Sequence, residues 1–110
     1  MNRKQLKEIL NELKTELKIQ EPIKIELKPM KTKAASISLN KNKIRINKNL
    51  LPNLDPECIR YLILHELIHH KLKSTYHNQE FQKQLTQKIN EEKAKQLERK
   101  ILTTLLQINH

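Results

Sequence analysis

The stretch 55-DPECIRYLILHELIHHKLK-73 constrains the fold of this 110-residue chain more than any other part of its sequence. Asp55 is a favourable N-cap, Pro56 suits the first helical position, and Glu57 suits the positive end of the helix dipole. The middle of the stretch, YLILHELI, is apolar on nearly every side, and a helix of that kind is buried. We therefore expect one central helix with the other elements packed around it.

The half of the chain before this helix predicts one helix and three short strands. Residues 2–18 carry leucine and isoleucine at helical spacing, and Pro22 ends that helix. Residues 23–28, IKIELK, alternate apolar and polar side chains as a half-buried strand does. Residues 34–47 are typical of a hairpin, because the linking NKNK supplies asparagines that tolerate left-handed backbone.

Two further helices are predicted after the central one. The first begins near Asn78, and the second carries one apolar stripe of Ala94, Leu97, Ile101, Leu105 and Ile108. The expected fold class is α+β: a small, three-stranded, mainly antiparallel sheet with an N-terminal helix, a central helix and C-terminal helices. We expect a single domain over residues 1–110, in which about 91–110 form a helical segment that covers a cleft or exchanges between two chains.

Composition limits the expected partners and cellular location of the protein. The net charge is +10, but the lysines are spread along the chain and aromatic residues are 3%, so nucleic acid is not the expected partner. Abundant lysine and isoleucine are typical of thermophiles. The single cysteine, Cys58, excludes an internal disulfide, and MNRKQLKEIL lacks the apolar core of a signal peptide. Apolar runs are too short to span a bilayer. Because the chain has no internal disulfide, we expect a cytoplasmic protein.

The central helix contains an HExxH motif, His65-Glu66-Leu67-Ile68-His69. Residues four apart share a helix face, so two imidazoles can bind one zinc ion there. Glu66 projects beside the metal, where it can act as general base on a zinc-bound water and then as general acid. A buried His-Glu-His triplet without partners would cost several kcal/mol, which favours a metal site over two unrelated histidines.

Catalytic zinc needs a third protein ligand. Metzincins place a histidine six residues after the second, across a glycine, but that position is Thr75 and the chain has no glycine. A distant glutamate, Glu91 or Glu92, is one candidate. His77 lies just past the expected helix break and is the preferred ligand. Glu80 is the alternative ligand, or a hydrogen-bond acceptor for a ligand imidazole.

The remaining reactive side chains receive weaker interpretations. His70 is one residue off the ligand face and is interpreted as a surface residue or a partner of a ligand. Tyr76 can donate a hydrogen bond to an oxyanion. Tyr61 can do the same, although packing is its expected role, and Cys58 is expected to be a small buried apolar residue. His110 or the terminal carboxylate could reach the zinc.

From about Ala34 to Phe81, the sequence resembles the minigluzincins, a family of very small metallopeptidases. AASISLNKNKIRINKNLLPNLDPECIRYLILHELIHH is also similar to the region before the active-site helix in HtpX-type and CAAX-prenyl-protease-type membrane metallopeptidases. The resemblance implies a compact α+β fold, zinc bound by His65, His69 and His77, Glu66 as catalytic residue, and latency through C-terminal segments. It also implies an edge strand that binds the peptide substrate antiparallel. That strand consists of Ala34, Ala35, Ser36, Ile37 and Ser38.

A second resemblance leaves an alternative open. The stretch His77–Phe81, HNQEF, is similar to the HxxEF end of SprT-like proteases, which act on DNA-bound proteins. The leading hypothesis is a zinc-dependent peptidase acting on peptides or proteins. The alternatives are a DNA-associated protease or basic nucleic-acid-binding module, and a metal-binding protein whose C-terminal helix blocks the zinc. Exchange of that helix would produce a homodimer.

Overall fold

A computed structural model describes residues 1–108, so the proposed contact of His110 with zinc lies outside the described residues. The elements are α1 (Arg3–Leu17), β1 (Lys24–Lys28), β2 (Ala35–Ser38), β3 (Lys43–Asn47), a 3-10 turn (Leu51–Asn53), α2 (Pro56–Leu72), α3 (Gln79–Lys88) and α4 (Glu91–Ile108). The predicted α+β class is confirmed. None of the helices in this part of the chain is long and apolar enough to cross a membrane.

Two of the helices end on lysine in the conformation that glycine usually adopts. α1 ends at Lys18 with φ 58°, and α2 ends at Lys73 with φ 53°. The hairpin turn uses Asn42 at φ 49°, as the asparagine-rich link predicts. A chain without glycine therefore pays a small conformational cost at each of these reversals.

The three strands form one sheet in the order β1-β3-β2. β2 and β3 form the predicted antiparallel hairpin, whereas β1 and β3 are parallel, so the sheet is mixed. After β1, the chain crosses to the far edge of the sheet and forms β2 there. β3 then returns and fills the position between β1 and β2. Ile44 and Ile46 of β3 are fully buried, and β2 is left as an edge strand.

α2 is the central helix that its apolar sequence predicts. It packs against α1, α3, α4 and β2. Ile63, Leu67 and Ile68 are fully buried, and Cys58 is buried as expected. Because α2 is held on several sides, the side chains of its remaining face have fixed positions.

α4 lies against α2 of the same chain. Its predicted stripe is buried at Ala94, Leu97, Ile101 and Leu105. Polar contacts add to this packing: Lys93 Nζ lies 3.1 Å from Glu57 Oε2, and the hydroxyl of Tyr61 donates to Glu98 Oε1. α4 therefore forms one wall of the region above the HExxH motif.

Candidate metal centre

Three histidine side chains meet above the central helix. His65 and His69 are one turn apart on α2, and His77 comes from the loop before α3. Lys73 reverses the chain direction at the end of α2, and the Ser74 N–H donates to the His69 carbonyl at 3.1 Å. This tight reversal brings the following residues back over the helix, as the break in the sequence pattern suggested.

The Nε2 atoms of these histidines form a nearly equilateral triangle. His65 Nε2 lies 3.2 Å from His69 Nε2 and 3.1 Å from His77 Nε2, and the remaining distance is also 3.1 Å. Three nitrogens bound to zinc at about 2.0–2.1 Å with tetrahedral angles lie about 3.3 Å apart. The triangle therefore has the size that a tetrahedral metal site requires, with the fourth position left for solvent or substrate.

The protonation of the triad also suits a metal. His69 Nδ1 lies 2.9 Å from the Ser74 carbonyl oxygen, which can only accept, so Nδ1 carries the proton and Nε2 presents a lone pair. A neutral imidazole has one N–H, so three mutual Nε2 contacts cannot all be good hydrogen bonds. The donor set and its geometry fit a metal ion better than they fit a hydrogen-bonded cluster.

Burial favours the neutral form of His65 and His69. Burial, followed by the nearby His69 and His77, lowers the pKa of His65 from 6.5 to about 3. Burial also lowers the pKa of His69, against the opposing effect of its Ser74 hydrogen bond. Phe81 packs against all three imidazoles, with ring centroids 4.5–4.9 Å away, which fixes their orientation.

Glu66 lies beside the triad and is only 7% exposed. Burial raises the pKa of its carboxyl from 4.5 to about 7, and the positive charge of Lys33 opposes that rise. A carboxyl with a pKa near neutrality can both accept and release a proton under ordinary conditions. The HExxH glutamate thus has the electrostatic character that acid–base chemistry needs.

A groove of about 720 Å³ runs past the triad. One wall is the edge strand β2, the floor is α2 with its histidines and Glu66, and the opposite wall is α4. Of the predicted edge-strand residues, Ala34, Ala35, Ser36 and Ile37 line this groove. Ser38, the last residue of β2, does not.

Several sequence candidates lie away from the groove. Glu80 is exposed, and its Oε1 accepts a hydrogen bond from Gln84 Nε2 at 3.2 Å. Tyr76 is 76% exposed and does not line the groove, so its geometry gives no support to an oxyanion role. Glu91 and Glu92 are exposed at the start of α4. Within residues 1–108, the cluster that could hold a metal ion is the histidine triad.

His70 points away from the triad, as expected, but its interpretation as a surface residue is wrong. Its side chain is fully buried, and its Nε2 lies 3.2 Å from Lys73 Nζ and 3.4 Å from Glu21 Oε2. The sequence hides this because the segment after α1 folds over the end of α2. His70 therefore supports the packing beneath the site.

The sequence identified Tyr61 only as a weaker oxyanion candidate and did not identify several other groove residues. Tyr61 was expected to pack; it is buried, but it also lines the groove and donates to Glu98. Its position one turn before His65 was the available clue. Lys33 and Leu102 also line the groove, and they join it only because β2 and α4 fold against α2.

Comparisons with known proteins identify a matching family and similar chains. A family model described as the YgjP-like metallopeptidase domain matches residues 2–101. An uncharacterised Methanocaldococcus jannaschii protein is 42% identical over 105 residues, covering 96% of each chain. The metallopeptidase zymogen of M. jannaschii jannalysin is 42% identical, with a TM-score of 0.83 over 91% of this chain and 96% of that one. The metallopeptidase zymogen of Pyrococcus abyssi abylysin is 31% identical, with a TM-score of 0.85 over 92% and 95%.

Proposed function

Because this chain belongs to the YgjP-like metallopeptidase family, we propose that it hydrolyses peptide bonds at a zinc ion held by His65, His69 and His77. The family membership, together with the likeness to two metallopeptidase zymogens, confirms the predicted enzyme class and the minigluzincin resemblance. The observation that carries the ligand assignment is the Nε2 triangle, with sides of 3.1–3.2 Å and a His69 lone pair directed inward. Three neutral nitrogen donors with an open fourth position are typical of catalytic zinc.

The residues around the triad supply the other parts of the reaction. A zinc ion bound there would provide Lewis acidity towards water and the scissile carbonyl. Glu66 accepts the proton of the attacking water at its carboxylate and later transfers it to the leaving amine. The free edge of β2 pairs with the peptide backbone as an added antiparallel strand, which holds the scissile bond above Glu66.

The direct test replaces Glu66 and leaves the ligands in place. Glu66→Ala should bind one zinc per chain, measured by elemental analysis, and should cleave no peptide in a mixture analysed by mass spectrometry. With Glu66 in place, cleavage that a chelator stops is expected, and it is measured both in the full-length chain and in a chain lacking residues 91–110. Proteolysis retained in Glu66→Ala would contradict the mechanism, and loss of zinc from this variant would contradict the separation of roles.

We also propose that α4 holds the enzyme latent by narrowing the groove. Glu98, Ile101 and Leu102 of α4 line the same groove as the histidines, and the two similar solved structures are described as zymogens. A chain lacking residues 91–110 should be more active per folded molecule, with circular dichroism as the folding control. Equal activity in the folded truncated chain would contradict latency.

The partners follow from the same site. The substrate is a peptide or protein, and a homodimer formed by exchange of α4 stays a prediction, tested by the mass of full and truncated chains. Nucleic-acid binding stays the alternative, and a salt-sensitive shift of duplex DNA would test it. A cytoplasmic location stays a prediction of the sequence.

A further inference from the structure

Lys33 occupies a defined position at the start of the edge strand. Its backbone carbonyl accepts a hydrogen bond from Asn47 Nδ2 at 2.9 Å, and the same amide donates to the Met30 carbonyl at 3.0 Å. Asn47 is fully buried, and its Oδ1 accepts from the Asn49 N–H at 3.0 Å. The amide group of Asn47 therefore clamps the loop that carries Lys33 into β2.

Lys33 lines the groove and forms no ion pair with a carboxylate of residues 1–108. Lys33 lines the groove together with Glu66, and its positive charge opposes the rise in the pKa of the Glu66 carboxyl. The ion pairs of residues 1–108 include no carboxylate within 4.0 Å of its ammonium group. The other charged side chains along the groove are Glu66 and Glu98, so Lys33 supplies its positive charge.

The direction of β2 assigns Lys33 to one side of the cleaved bond. A peptide that pairs antiparallel with β2 places its C-terminal part at the N-terminal end of the strand. Lys33 precedes β2, which begins at Ala35, and lies towards that end. Lys33 is the N-terminal end of the stretch 33–37 that lines the groove, so the C-terminal residues of a peptide bound along this stretch would pass closest to its ammonium group.

From this placement we infer that Lys33 is a specificity-determining residue that favours substrates with a carboxylate on the C-terminal side of the cleaved bond. The inference rests on the proposed peptidase function and names the class of peptide that the site prefers. The carboxylate can belong to an acidic side chain or to the C-terminus of a short peptide. A charge pair at an exposed site changes an equilibrium about two- to fivefold, so the expected preference is of that size.

The test compares matched peptides and matched lysine variants. The peptides carry Glu, Gln or Lys at the first two positions after the cleaved bond, each as a C-terminal amide and as a free acid. The enzymes are full-length wild type, Lys33→Met, Lys33→Glu and the control Lys41→Met. Lys41 is also exposed but lies in the turn at the far end of the hairpin and does not line the groove.

Wild type and Lys41→Met should prefer the Glu peptide over the Gln peptide about two- to fivefold in kcat/KM. Lys33→Met should lose this preference, and Lys33→Glu should prefer the Lys peptide. The same order is expected in Kd for the Glu66→Ala variant, weakening with salt. A preference confined to free acids assigns the terminal carboxylate, and one retained in the amides assigns the side chain.

Three results would overturn the inference alone. The first is an unchanged Glu preference in Lys33→Met, and the second is an equal fall in kcat for all peptides, which would mean that Lys33 acts on Glu66. Cleavage that Glu66→Ala abolishes but that shows no charge preference would also refute it and leave the proposed function standing. Absence of metal-dependent cleavage both in wild type and in the folded chain lacking residues 91–110 would refute the proposed function, and the inference with it.

Discussion

The buried carboxyl of Glu66 makes a quantitative prediction about stability. Burial raises its pKa from 4.5 to about 7, so the metal-free folded protein binds a proton more tightly than the unfolded chain does. A group whose pKa is raised by folding stabilises the folded state fully at pH values below its pKa in the unfolded chain. This stabilisation is lost as the pH rises through its pKa in the folded protein. At about 1.4 kcal/mol per pKa unit, the shift corresponds to about 3 kcal/mol lost between pH 4.5 and about pH 7.

Glu66→Gln removes this titration and keeps the shape of the side chain. In chelator, the free energy of unfolding of the variant minus that of wild type should grow by about 3 kcal/mol between pH 4.5 and pH 7.5. Urea titrations at several pH values measure this difference. His65 and His69, whose pKa values are lowered, titrate in both proteins and cancel in the comparison. If the difference in the free energy of unfolding does not change with pH, Glu66 is not a buried carboxyl with a raised pKa.

Three further predictions address the clamp, the third ligand and α4. Asn47→Ala loses three hydrogen bonds of a buried amide and should lower the free energy of unfolding by about 2–4 kcal/mol in urea titrations. The control Asn53→Ala loses one exposed hydrogen bond and should lower the free energy of unfolding by less than about 1 kcal/mol. His77→Ala should lower zinc content and remove the rise in Tm on adding zinc, and Glu80→Ala should retain both; the reverse outcome would assign Glu80 as ligand. Tyr61→Phe removes the bond to Glu98 and should speed amide exchange in α4 more than in α1, and equal exchange would contradict a role in holding α4.

Local chemistry explains why much of the fold was predictable. The proline in the first turn of α2 and its apolar content, the stripes of α1 and α4, and the asparagines of the hairpin each act within a few residues of sequence, although the Asp55 side chain makes no capping hydrogen bond. The parallel pairing of β1 with β3 was not predictable in this way, because it depends on where a connecting loop passes. The full burial of His70 likewise depends on a segment almost 50 residues earlier.

The candidate site also has a part that local sequence predicts and a part that depends on tertiary contacts. The spacing of His65, Glu66 and His69 by itself determined that two imidazoles and a carboxyl share a neighbourhood, because a helix has a fixed period. The return of His77, and not Glu80, to that pair depends on tertiary structure, since the turn after α2 sets which side chain lies beside the histidines.

The walls of the groove were also decided by tertiary structure alone. Lys33 and Glu98 lie far from the motif in sequence and reach it because β2 and α4 pack on either side of α2. Local sequence was therefore enough to predict which reactive side chains lie together on α2, because the neighbours along a helix follow from its backbone geometry. Packing fixed what surrounds that chemistry, because contacts between distant segments depend on how the whole core is buried.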